Sequence, residues 1–171
     1  IYDEVLSQKQ IKHLSQAKIA HFKFNQENVL DSSRYRNDGT ANGATFISDS
    51  KIGKGAYKFD GENDFIKLDK EITMNLKSST ICFWANKSSN NHERVFAYKK
   101  DNVNSFVEMH KNEANGEVTF YVEPDNNNEF FLSPTADIDV VGEWHHFALS
   151  FYKTNSGGVG VELYIDGEFV G

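Results

Sequence analysis

Two stretches in the last third of the chain alternate strictly between apolar and polar residues. The first covers residues 144–152, and the second covers residues 160–166 and leads into Asp166-Gly167. A period of two is the pattern of a β-strand with one buried face, so the stretches predict two adjacent antiparallel strands. Their apolar sides are Phe147, Leu149 and Phe151 in the first and Val161, Leu163 and Ile165 in the second. The opposite sides are free for another role.

The same kind of pattern recurs along the chain after Lys18, with glycine- and asparagine-rich turn signals between the stretches. The strands predicted in this way cover residues 19–24, 57–59, 65–68, 79–86, 94–98, 104–110, 117–123, 144–152 and 160–166. Many short strands without intervening helices predict an all-β fold, either a sandwich or a barrel.

One short helix is predicted at the beginning of the chain. Ser7 is a suitable N-cap and Gln10 completes a capping box, with Leu6 and Ile11 in the positions of a hydrophobic staple. The helix then covers residues 8–15.

Aromatic residues are concentrated on the polar sides of four predicted strands. They are Trp84, Tyr121, Trp144, His146 and Tyr164, with Asn86 and Glu162 among them. Such rings can stack on sugar rings while the polar groups bond to hydroxyls, so this set is the candidate ligand-binding surface. The alternative is that loops and the N-terminal helix cover these residues and satisfy their polar tips.

Composition narrows the range of partners. The 171 residues are enough for one domain with a sizeable core. A net charge of −7 without a basic run disfavours nucleic acid and anionic membranes. No stretch approaches the roughly 20 apolar residues of a membrane span, so membrane insertion is not expected. Cys82 is the only cysteine and is predicted to be a buried free thiol.

Four segments of the chain carry a family resemblance. They are Trp-His-His-Phe-Ala with Leu-Tyr-Ile-Asp-Gly at 144–148 and 163–167, the Phe-Asp-Gly turn at 59–66, the Asp-Ser-Ser and Asn-Asp-Gly-Thr loop at 30–40, and Ser-Thr-Ile-Cys-Phe-Trp at 79–84. Together they resemble the laminin G-like jelly-roll domains of the concanavalin A-like superfamily. The resemblance implies a two-sheet antiparallel jelly-roll sandwich. It also implies a module that binds a glycan or a surface protein, in an extracellular or cell-surface protein.

The beginning of the chain departs from the family pattern. The motif that usually closes such a domain stands at residues 1–11. Either residues 1–16 end a preceding copy in a tandem array, or the domain is permuted and uses this segment itself. The array is favoured, which predicts tandem neighbours and a domain over residues 17–171 that is incomplete at its C-terminal side.

Two acidic loops are candidate calcium sites. Asp60, Glu62 and Asp64 alternate around a glycine turn, and Asp31 and Asn37 lie in a polar loop. Their oxygens are ligands of the kind that calcium prefers, and the resemblance implies calcium in loops of this type. The alternative is that Asp60 begins a simple turn and Asp31 is an Asx cap.

Catalytic chemistry is not expected. Glycoside hydrolysis needs two carboxylates on one face, roughly 5–9 Å apart. The acidic stretch at 123–129 is predicted to be a loop, and Glu162 and Asp166 are about 13 Å apart along one strand. His145 and His146 point to opposite faces of a strand and cannot chelate one metal. The sequence therefore predicts a binding module, with an architectural spacer or an accessory domain of a glycan-processing enzyme as alternatives.

Overall fold

The computed structural model contains twelve β-strands among the residues that it describes. The backbone is described at residues 7–9, 17–70, 72, 78–87, 93–100, 103–111, 118–125, 128–132 and 142–171, and the side chains at 7–9, 17–70, 72, 78–87, 95–97 and 142–171. The chain divides into two units, Ile1–Thr73 and Met74–Gly171.

The first unit contains two small antiparallel sheets. Its strands are β1 (Gly39–Asn42), β2 (Thr45–Ile47), β3 (Ala56–Lys58) and β4 (Phe65–Leu68). β1 pairs with β4, and β2 pairs with β3. The sequence predicts β4 at its observed position. It predicts β3 one residue further along, at 57–59, and it does not predict β1 and β2.

The strand predicted over residues 19–24 is wrong. Phe22 makes a single β-bridge with Asp31. Phe24 has a φ of 49°, a left-handed conformation that ends an extended stretch. Its ring packs against Phe22 and Tyr57, with centroid distances of 6.1 and 5.2 Å. The alternation in this segment therefore reflects an aromatic cluster.

The second unit contains two four-stranded antiparallel sheets. Its strands are β5 (Ser78–Asn86), β6 (Glu93–Lys100), β7 (Val103–Lys111), β8 (Val118–Asp125), β9 (Asn128–Leu132), β10 (Trp144–Lys153), β11 (Val159–Ile165) and β12 (Glu168–Phe169). One sheet has the order β12-β11-β10-β5, and the other has the order β6-β7-β8-β9. β5 and β10 are neighbours although the whole second sheet lies between them in sequence.

The inward residues of β10 and β11 form the core of this unit. The buried cluster comprises Phe147, Leu149, Phe151, Val161, Leu163, Ile165 and Val170, and Ile81, Phe83, Ala85, Val95 and Phe96 pack against it. Val95 and Phe96 belong to β6, so residues of both sheets meet in one core, as in a sandwich. Each fully buried Phe, Leu or Ile stabilises the fold by about 1.5–3 kcal/mol. The predicted two-sheet fold and the alternation of β5, β10 and β11 are confirmed.

Asp166 and Gly167 form the turn between β11 and β12. Their φ angles are 52° and 92°, and Ile165 pairs with Glu168 across them. Two left-handed residues between paired positions make a type I′ hairpin, whose twist matches that of the strands. The Asp-Gly sequence suits this turn because glycine has no Cβ and aspartate tolerates the left-handed region.

The loop predicted over residues 123–129 is wrong at residues 123–125 and 128–129, which are strand, and residues 126 and 127 lie outside the described residues. β8 continues to Asp125, and Asp125 pairs with Asn128 at the start of β9. The register shifts between Val122 and Asp125, which accommodates Pro124, a residue without an N–H to give to the ladder.

The predicted N-terminal helix falls mostly outside the described residues. Gln8 and Lys9 are helical, and the remainder of the predicted range 8–15 is not described. The domain boundary at residues 16 and 17 stays a prediction.

Candidate functional site

We use the term outer face for the side of the β12-β11-β10-β5 sheet that points away from the core. Paired residues in antiparallel strands project to the same side, so this face is built of rows of side chains. The rows are Asn86–Trp144, Trp84–His146, Cys82–Ala148–Tyr164–Phe169, Thr80–Ser150–Glu162 and Ser78–Tyr152–Gly160. Four of the five predicted ligand-binding residues, Trp84, Trp144, His146 and Tyr164, thus lie on one surface.

Tyr121, the fifth, lies on the other sheet. Its strand, β8, pairs with β7 and β9, where Tyr121 stands opposite Glu108 and Phe131. Its side chain is outside the described residues. Alternation assigns a residue to a side of its strand, but it does not assign the strand to a sheet, and this is why sequence reasoning grouped Tyr121 with the others.

Large aromatic residues flank a floor of small ones on three sides of the outer face. The floor consists of Thr80, Cys82, Ala148 and Ser150. Trp84 is 37% exposed, Tyr152 42% and Phe169 62%. Trp84 and Tyr164 are two strands and one row apart, which is roughly 12 Å at the usual strand spacing and rise per residue. A flat ligand can therefore lie on the floor between aromatic side chains.

Cys82 is an exposed residue of this floor, so the predicted buried thiol is wrong. β5 alternates along its length, and Cys82 projects to the same side as Trp84 while Ile81 and Phe83 pack against the core. Counting Cys82 as apolar favoured burial, whereas its position in the strand period places it outside.

Trp84 and His146 form one aromatic edge of the outer face. Their ring centroids are 5.3 Å apart with the planes tilted by 56°. Asn86, in the next row, donates its side-chain N–H to the carbonyl of Gly142 at 3.4 Å. His145 points to the opposite side, where its ring contacts Phe147, so the predicted divergence of the two histidines is confirmed.

Glu162 is held in place by aromatic neighbours. The Tyr164 hydroxyl donates to Oε2 of Glu162 at 3.0 Å. This hydrogen bond, followed by burial and the charge of Glu162, raises the pKa of Tyr164, so the hydroxyl remains a donor. The Tyr164 ring meets Phe169 edge-on at 5.6 Å.

Tyr152 lies over Gly160, and a Cβ added to Gly160 would overlap the Tyr152 ring. The glycine in β11 therefore permits Tyr152 to lie close to the strand.

In the first unit, the Asp31 carboxylate is fully engaged by the protein. Oδ1 accepts the main-chain N–H groups of His21 and Ser33 at 2.8 and 2.7 Å. Oδ2 accepts the Ser33 hydroxyl at 2.6 Å and the Asn37 N–H at 2.8 Å. Burial raises the pKa of Asp31, but these hydrogen bonds outweigh it and hold the pKa below its ordinary value. Asn37 donates its side-chain N–H to the Ile19 carbonyl at 2.8 Å. A cation would have to displace these donors, so this loop does not fit calcium.

The other predicted calcium ligands, Asp60 and Asp64, lie in an exposed turn. Oδ1 of Asp60 accepts the N–H groups of Glu62 and Asn63 at 2.8 and 3.3 Å, and Oδ2 of Asp64 accepts the Asp60 N–H at 2.9 Å. The hydrogen bond from Glu62 is the main cause of a lowered pKa at Asp60. Across the described residues, no three His, Cys, Asp or Glu side chains are grouped to hold a metal ion. Calcium binding stays a prediction.

The family is decided by comparison with known sequences. A sequence model of a laminin G-like family, described as the concanavalin A-like lectin/glucanases superfamily, matches residues 60–171. The chain belongs to this family. The matched range contains the whole outer face. Comparison with curated proteins and with solved structures gives no significant match.

Membership in the laminin G-like family defines the general role. Its domains are generally non-catalytic modules that bind carbohydrates or proteins, and they typically occur in extracellular proteins. Among the described residues, no helix combines the length and apolar character required to cross a bilayer.

Proposed function

We propose that the chain is a non-catalytic glycan-binding module of an extracellular or cell-surface protein, and that the outer face is its binding surface. The observation that carries this proposal is the arrangement of exposed aromatic rings around a floor of small residues. Sugar rings have apolar faces that pack on aromatic side chains and hydroxyls that bond to polar groups between them. A cluster of exposed large rings is otherwise unfavourable in water, and such patches mark interaction sites.

The carboxylates of β11 and of the turn that follows it support binding rather than hydrolysis. Glycoside hydrolysis uses a pair of carboxylates that flank the scissile bond. Asp166 is engaged by the Nδ1 of His145 and the main-chain N–H of His146. Among the described residues of β5, β10 and β11, Glu162 is thus the single carboxylate on the outer face.

The proposal is tested by screening the protein on a glycan array and measuring the affinity of hits by calorimetry. The test variant is Trp84→Ala, and the control is Phe59→Ala, which removes a ring of similar exposure from the first unit (37% and 46%). We expect Trp84→Ala to weaken binding by about tenfold, because a lost ring contact of roughly 1.4 kcal/mol corresponds to that factor. Phe59→Ala should bind like the wild type.

Two outcomes contradict the proposal. One is a folded wild-type protein that binds no glycan, which favours the architectural spacer or a protein partner. The other is glycan binding that Trp84→Ala and Phe59→Ala affect equally, which places the site elsewhere.

A further inference from the structure

The charges of the outer face restrict the glycans that it can accept. Within the described strands β5, β10, β11 and β12, no lysine or arginine projects to this side. Sulfated and uronic glycans are recognised mainly through cationic side chains that pair with their anionic groups. The chain as a whole carries a net charge of −7, which adds a repulsive field. The surface is therefore poorly suited to anionic glycans.

Glu162 offers the opposite kind of contact. Tyr164 holds Oε2, while Oε1 receives no hydrogen bond from the residues that the structure describes. Glu162 is half-buried, so its carboxylate is partly withdrawn from water. A cation is therefore attracted to it more strongly than to a fully exposed carboxylate. The rings of Tyr164 and Tyr152 lie in the neighbouring rows of the same face.

A carboxylate beside aromatic rings is a favourable environment for an ammonium group. The ammonium can donate to the carboxylate oxygen in a charge-assisted hydrogen bond, and the negative faces of the rings attract it further. The floor of small side chains leaves room for the ring that carries the ammonium. Trp84 and His146 then provide a stacking surface for the rest of the glycan.

We propose that the outer face selects glycans with free amino groups, and that Glu162 binds the protonated amine of an amino sugar. This inference rests on the proposed function, because it names the ligand class of the same surface. It predicts discrimination between glycans that share a backbone and differ only in the group at one ring position.

Three oligosaccharides of equal length provide that comparison. Chitosan, chitin and cellulose oligosaccharides have the same linkage and carry an amine, an acetamide and a hydroxyl, respectively. Calorimetry on the full chain at mildly acidic pH should give roughly five- to tenfold tighter binding of the chitosan oligosaccharide. Added salt should reduce this preference, because it screens the ion pair. A sulfated heparin oligosaccharide should bind more weakly than all three.

Two variants assign the preference to Glu162. Glu162→Gln retains an acceptor for the Tyr164 hydroxyl but removes the charge, so it should abolish the preference, with a larger loss of affinity for the chitosan oligosaccharide than for the cellulose oligosaccharide. Tyr164→Phe retains the ring and releases Glu162, so it should reduce the preference in part. Melting temperatures show whether each variant is folded. If Glu162→Gln does not fold, Tyr164→Phe tests the inference in its place.

The outcomes separate this inference from the proposed function. Equal binding of the three oligosaccharides, with a loss in Trp84→Ala, overturns the amino-sugar inference and leaves the glycan-binding function intact. A preference that persists in both variants also overturns the inference. Binding of a lysine-rich peptide without binding of any oligosaccharide overturns both proposals.

Discussion

Oδ2 of Asp166 lies 2.7 Å from Nδ1 of His145, and Oδ1 of Asp166 accepts the main-chain N–H of His146 at 2.8 Å. The Asp166 N–H in turn donates to the His146 carbonyl at 2.8 Å. The type I′ turn is thereby tied to the beginning of β10, next to Trp144 on the outer face. The two hydrogen bonds, led by that of the His146 N–H, lower the pKa of Asp166.

Removing this carboxylate should destabilise the second unit. We expect Asp166→Ala to lower the free energy of unfolding by about 2 kcal/mol, since it removes charge-assisted hydrogen bonds and leaves alanine in a left-handed conformation. Both tryptophans lie in the second unit, so urea unfolding followed by tryptophan fluorescence measures the effect. Glu168→Ala removes an exposed carboxylate from the same hairpin and should change stability by less than about 0.5 kcal/mol. Equal effects of the two substitutions would show that the contacts of Asp166 are unimportant.

Asp31 should be the most sensitive acidic residue of the first unit. Asp31→Asn replaces an acceptor oxygen by a donor that faces N–H groups, and unsatisfied buried donors cost about 1–3 kcal/mol. The side chain is fully buried, so water cannot take over these hydrogen bonds. Thermal unfolding followed by circular dichroism tests this, with exposed Asp49→Asn as the control. If both variants melt like the wild type, the hydrogen bonds of Asp31 do not stabilise the loop.

The lowered pKa values of Asp31 and Asp166 predict acid sensitivity. The ordinary value is 3.8, and both folded-state values lie below it. The unfolded chain therefore takes up protons first as the pH falls, so stability is at its full level at neutral pH and declines below about pH 5. Urea unfolding at a series of pH values should show this decline, and Asp31→Asn should show a shallower one. Stability that stays constant down to about pH 3 is incompatible with these pKa directions.

Gly160 should control the position of Tyr152. In Gly160→Ala, the added methyl group would overlap the Tyr152 ring, which is the mobile end of a side chain and can swing away. We expect a stability change within about 1 kcal/mol and a clear loss of oligosaccharide affinity. Gly158→Ala is the control, because its Cβ would meet only Thr154 Oγ1 at 3.3 Å. Unchanged affinity in Gly160→Ala would exclude Tyr152 from the binding surface.

Long strands with one buried face could be predicted from the sequence, whereas the short strands β1, β2 and β12 could not. β10 and β11 span several periods, so Phe147 and Leu163 were assigned to the core correctly. β12 has two residues and no period, so Phe169 and its place on the outer face were missed. The place of Glu162 beside Tyr164 follows from the period of their shared strand, but its place beside Tyr152 depends on which strands pair, which a period does not encode.

The contacts of Asp31 could be anticipated only in small part. Ser33 stands two residues after Asp31, and this spacing signals an Asx-type turn. The remaining donors are the main-chain N–H groups of His21 and Asn37, and every residue except proline has such a group. The side chains alone therefore favoured a calcium site where the structure has an internally bonded carboxylate.

Cys82 gives the most direct test of the outer face as the glycan-binding surface. Cys82 is an exposed residue of the floor, so a thiol-specific reagent should modify it in the folded protein without denaturant. The measurement is the rate at which Cys82 is modified, with and without a bound oligosaccharide. The oligosaccharide is whichever of the chitosan, chitin and cellulose oligosaccharides binds most tightly, at a saturating concentration. The urea-unfolded protein is the control for a direct effect of the sugar on the reagent. We predict that the bound oligosaccharide slows modification several-fold, whereas an unchanged rate in the saturated protein would contradict the account.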